Sequence, residues 1–143
     1  MQMPDLTDPI SAHFIFREAL WLPTWNRAAE ESDGLSDQIV RNLSILFGKM
    51  DKVRDLVGQP ILVNCAYRPF VYNKLVGGAP ASAHTQGQAC DWHVVGTSCD
   101  DLRALLLPHL EEWNMRMEDL PGSDWVHLDY RQVAPGGNRF FKP

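Results

Sequence analysis

Met115-Arg116-Met117-Glu118-Asp119-Leu120-Pro121-Gly122-Ser123-Asp124-Trp125-Val126-His127-Leu128-Asp129-Tyr130 is the stretch on which the fold turns. It reads as two strands, 115–117 and 125–130, joined through Leu120-Pro121-Gly122-Ser123. Strands joined this closely pair antiparallel, whereas parallel neighbours need a long crossover. Downstream, Pro135-Gly136-Gly137-Asn138 is a turn and Arg139-Phe140-Phe141 an added edge strand. Upstream, Ala89 to Val95 and Ile61 to Ala66 read as two further strands. Between them lie the loop Gly77-Gly78-Ala79-Pro80 and a short helix, Phe70 to Leu75, opened by Pro69. Ser98 with Asp100 and Asp101 starts a helix through Leu102, Leu105, Leu106 and Leu110, kinked or ended at Pro108. The longest helix spans Asp37 to Val57, where Ile39, Leu43, Leu46, Met50, Val53 and Val57 form one apolar stripe. Ser36 caps it, and Gly58 and Pro60 stop it. Ser11 to Leu20 is expected to make one or two helical turns, with Pro23 and Glu30 to Gly34 in loops. The pattern predicts an α+β fold, helices packed on a small antiparallel sheet.

The 143 residues support one domain spanning 1–143, since chains of ~150 residues bury roughly 70% of their unfolded surface around one core. Hydrophobic residues at 45% and charged residues at 22% exclude a disordered or fibrous chain. With 13 Lys+Arg against 18 Asp+Glu, the net charge of −5 argues against nucleic-acid binding. No apolar run approaches the ~20 residues of a membrane span. Met1 to Ile10 lacks the basic and apolar regions of a secretory signal, so synthesis in a cytoplasm is expected. Cys65, Cys90 and Cys99 form no C-x-x-C and read as reduced, packed thiols.

Among five histidines, His84 and His127 sit in unusual surroundings. His84 on a loop, Asp91 on the strand that follows and His127 on a neighbouring strand can supply the three N or O ligands of a catalytic zinc site. Gly87 lets the chain turn between the first two, and Ala89 keeps the site uncrowded. By spacing alone, a structural or surface role is the commoner one for such residues. His93 shares the face of Asp91 and reads as a packed or supporting group, and Asp129 shares the face of His127 and can orient its ring. His13 and His109 carry no motif, Cys90 alternates into the core, and the five tryptophans read as core.

Ser82-x-His84-x-x-Gly87-x-Ala89-x-Asp91, followed by Trp125-x-His127, resembles the signature of the zinc D-Ala-D-Ala carboxypeptidase family. The likeness extends to Ser11-Ala12-His13-Phe14, to Ala66-Tyr67-Arg68-Pro69 with Tyr72-Asn73, and to Gly77-Gly78-Ala79. Members include peptidoglycan carboxypeptidases, vancomycin-resistance dipeptidases and phage endolysins. The resemblance implies one Zn2+ held by His84, Asp91 and His127. It makes Asp124, in an acid-x-x-His motif, the group that takes a proton from the attacking water and gives it to the leaving amine. Glu118 is the reserve if the hairpin points Asp124 outward. Arg68 is implied as the cation facing the oxyanion, with Ser82, Tyr67 and Gln88 as substrate contacts. The implied substrate is the peptidoglycan stem peptide. A monomeric phage or prophage lysis protein, or a virion-associated module, acting on the wall after release is the expected setting. An inactive zinc-bearing wall-binding or structural phage module is the alternative.

Overall fold

The computed structural model describes all 143 residues. Helix α1 (Phe16–Leu20) leads into a hairpin of β1 (Trp21–Leu22) and β2 (Arg27–Ala28), then α2 (Asp37–Val57). β3 (Leu62–Cys65), α3 (Phe70–Leu75), β4 (Ala89–His93), α4 (Cys99–Leu106), α5 (Leu110–Trp113), β5 (Arg116–Glu118), β6 (Val126–Asp129) and β7 (Phe140–Phe141) follow. The architecture is the expected α+β, one small domain with helices on a five-stranded sheet ordered β3-β4-β6-β5-β7. The sheet is antiparallel except at its edge, where β7 runs parallel to β5 and makes it mixed. No helix is long and apolar enough to cross a membrane.

Local chemistry explains most boundaries. Ser36 Oγ accepts the Ile39 N–H and opens α2, and Gly58 at φ 72° closes it in the left-handed conformation. Ser98 Oγ accepts the Asp101 N–H at the start of α4. Pro108 ends α4 in a single 3-10 turn before the chain resumes as α5. Pro23 lies in a turn as expected, but that turn joins the β1–β2 hairpin, whose two-residue strands leave no periodic signal. β4 stops at His93, two residues early, as Val94 to Thr97 turn back on themselves.

One cluster of 28 buried apolar residues joins α2 and α4 to the inner face of the sheet. Cys90, Trp92, Met117, Val126 and Leu128 are fully buried there, in line with strand alternation. Leu43, Leu46, Phe47, Met50 and Val53 of α2 supply the facing layer. Cys65, Cys90 and Cys99 are free thiols. Trp92 and Trp113 are core residues as expected, while Trp125 is half-buried and lines the cleft on the opposite face of the sheet.

Candidate metal centre

The register of β4 and β6 creates the site. Asp91 lies directly opposite His127, and Ala89 opposite Asp129, so all four project from one face. His84 comes from outside the sheet, on a 3-10 turn (Ala83–Gln86) capped by Ser82 Oγ, which accepts the His84 N–H. Gly87 ends that turn at φ 69°, and a Cβ there would stand 3.1 Å from both Ile39 O and Leu43 Cγ on α2. Only glycine allows both the left-handed turn and the close approach that presses His84 against β4.

The donor atoms of His84, Asp91 and His127 all lie within 4.8 Å of one another. His84 Nδ1 donates to the Ala66 carbonyl at 2.7 Å, so its Nε2 carries a lone pair. That Nε2 is buried without a hydrogen-bond partner, 3.2 Å from Asp91 Oδ1. His127 Nε2 donates to Asp129 Oδ2 at 2.9 Å, turning Nδ1 toward Asp91 Oδ1 at 2.8 Å. Three electron-rich atoms therefore converge on one point, an arrangement that repels itself unless a cation or proton lies between. Two imidazoles and a carboxylate are a zinc-type donor set, and the residues fit such an ion.

The electrostatics agree. Burial alone would lower the His127 pKa, but hydrogen bonds to Asp129 and Asp91 raise it to about 9. Burial would raise Asp91, yet the two imidazoles beside it, His84 and His127, hold it well below the usual carboxylate range. Burial opposes ionisation of Asp129 too, but His127 and Arg116 bring it down to about 2. Asp129, 1% exposed, is the orienting carboxylate expected from its strand position, and Arg116 clamps it with Nε at 2.8 Å and Nη2 at 2.9 Å.

The cleft over this centre has a volume of about 680 Å³. Arg68, Ser82 and Glu118 line it. Arg68 Nη2 donates to Asp91 Oδ2 at 3.0 Å, and Nη1 to Asn73 Oδ1 at 3.3 Å. Asn73 is itself buried against Gly78, where any Cβ would fall 2.0 Å from its Oδ1. Glu118 Oε1 is 4.0 Å from His127 Nδ1.

Three expected site residues lie elsewhere. Asp124 is exposed and lines a separate depression with His93 and Asp100. The physical reason is where the strand starts: β6 begins at Val126, so Asp124 lies in the bend before it, whereas Glu118 on β5 stands beside His127. Tyr67 is buried beside Asp33 and Gly34, with burial and the Asp33 charge pushing its hydroxyl up to about 12. Gln88 sits one residue before β4, on the parity of the core-facing Cys90, and its carbonyl accepts the Tyr130 N–H at 3.1 Å. His93 Nδ1 pairs with Asn64 Oδ1 at 2.6 Å, outside the ligand cluster.

Arg116, Trp125, Arg131 and Phe141 line the cleft without having been expected there. Alternation marks Arg116 as sharing the face of Glu118, but nothing local announces Arg131 or Phe141. A search of curated proteins returned no match. The family model described as Peptidase M15 matches residues 23–129, a stretch that holds all three converging donors together with Arg68, Glu118 and Asp129. By that match, over about three quarters of its length, the chain belongs to the peptidase M15 family, the zinc D-Ala-D-Ala carboxypeptidase family that its motifs resemble.

Proposed function

We propose that the protein is a zinc-dependent peptidase that hydrolyses peptide bonds in peptidoglycan stem peptides. The observation that carries this reading is the convergence of His84 Nε2, Asp91 Oδ1 and His127 Nδ1 within the region matched by the peptidase family. When bound, zinc supplies a Lewis acid for the scissile carbonyl and lowers the pKa of water.

The remaining steps belong to this chain's side chains. Glu118 takes the general-base role, in place of Asp124, because its carboxylate stands on the ligand face beside His127. It accepts a proton as water adds to the carbonyl carbon and returns it to the amine nitrogen as the C–N bond breaks. Arg68 holds Asp91 Oδ2, which leaves Oδ1 for the cation, and its guanidinium lines the cleft where the oxyanion develops. Asp129 and Arg116 fix the His127 ring, so the donor geometry exists before substrate arrives. Ser82 holds the His84 turn and its place on the cleft wall makes it a substrate contact.

Zinc-loaded protein incubated with purified sacculi tests the proposal, with mass spectrometry of the released muropeptides. Loss of a terminal D-Ala marks a carboxypeptidase, and cleavage inside the stem marks an endopeptidase. Full zinc occupancy with no change in any muropeptide would overturn the enzyme reading and leave a metal-bearing binding module.

A further inference from the structure

Six charged side chains line the cleft, and four of them neutralise one another. Arg68 pairs with Asp91, and Arg116 with Asp129. Glu118 is the remaining anion and Arg131 the remaining cation. The Arg131 side chain has no carboxylate partner; its guanidinium Nη2 donates to the Ala81 carbonyl. Its main-chain N–H donates to Asp129 Oδ1 at 3.2 Å. Arg131 is thus tied at one end to the carboxylate that orients His127. At the other it is tied to the residue before Ser82, which caps the His84 turn. An arginine held at both ends has already lost much of its rotamer freedom, and its remaining N–H groups are free to bind.

The family match ends at Asp129, yet Arg131, Phe141 and Pro143 all line the cleft. Phe141 stands on β7 with the Arg116 guanidinium 4.1 Å from its ring centroid. The segment after β6 therefore builds one wall of the cleft, and the one cation on that wall, Arg131, has no carboxylate partner. We propose that Arg131 is a specificity-determining residue that grips a carboxylate of the peptide substrate. The inference rests on the peptidase reading, because a peptide offers no other anion. A planar guanidinium donates two parallel hydrogen bonds to a carboxylate. That carboxylate is either the substrate's C-terminus or an internal acidic group.

The test uses a stem pentapeptide in three forms: both carboxylates free, C-terminus amidated, and internal carboxylate amidated. Zinc-loaded parent, Arg131→Gln and Arg131→Lys are compared for kcat and KM. Binding is measured calorimetrically with the same Arg131 substitutions placed on a Glu118→Gln background, where turnover is suppressed. Arg131→Gln should weaken binding of the free form at least about tenfold, about 1.4 kcal/mol, with zinc content and kcat held. Arg131→Lys should recover part of the loss. Amidating the recognised group should erase the difference between parent and variant, and the form that does so identifies the source. Equal weakening of all three forms, or none, would overturn the proposal. If the parent binds the peptide but cleaves nothing, the peptidase reading fails and the Arg131 comparison still stands. If the parent cleaves and Arg131→Gln matches it, the Arg131 proposal alone fails.

Discussion

The two faces of the central sheet are made by the same strands and obey opposite rules. On the inner face, Cys90, Trp92, Met117, Val126 and Leu128 are all fully buried against apolar neighbours. On the outer face, Asp91, Arg116, Glu118, His127 and Asp129 alternate with them residue by residue. The outer face is nearly as buried at its centre, with His127 7% and Asp129 1% exposed. The inner face is stabilised by removing apolar surface from water, a diffuse term that tolerates exchange of similar shapes. The outer face holds charges that burial would expel, and it keeps Asp91, Arg116, His127 and Asp129 by pairing each with a partner of fixed geometry. Substitutions on the inner face should therefore cost stability, and those on the outer face should cost chemistry.

The strongest challenge to that division is His84→Ala or His127→Ala. Either should abolish zinc binding and activity together, because two ligands leave an incomplete shell. Elemental analysis should find about one zinc per parent chain and far less in the variants. Next, Glu118→Gln should keep zinc and lower kcat by ~10²–10⁴-fold, while Asp124→Asn stays close to the parent. The reverse ranking in steady-state kinetics would restore Asp124 as the base. Asp129→Asn should be milder, weakening zinc affinity about 10- to 100-fold, as measured by competition with a chelator. It removes the charge that faces Arg116 and gives the His127 Nε2–H a weaker acceptor. Leu128→Ala, between His127 and Asp129 in the chain, should affect chemistry least. It should cost about 2–5 kcal/mol of stability, seen as a lower Tm, with kcat per folded molecule unchanged.

The long helix was legible because it depends on neighbours close in the chain, and the donor set that the structure brings together was legible through the order of the motifs that resemble the family's. Ser36, the apolar stripe and Gly58 bound α2 at Asp37–Val57, as expected from capping and period alone. His84, Gly87 and Asp91 sit within eight residues, so turn and strand chemistry place them together. Asp124 was placed by counting three residues back from His127 along the chain, but β6 begins only at Val126 and Asp124 lies in the exposed bend before it. Glu118 reaches His127 across the β5–β6 pairing, a contact between strands whose register no local signal reports. Tyr67 and Gln88 left the site for the same reason: their parity and packing partners were set by distant elements. Arg131 and Phe141 joined it only because β7 folds back parallel to β5 and the chain after β6 passes the His84 turn. Donor chemistry is a property of residue type and short spacing. Which acid and which arginine face the cation depends on non-local strand pairing, whose geometry exists only once the sheet has formed.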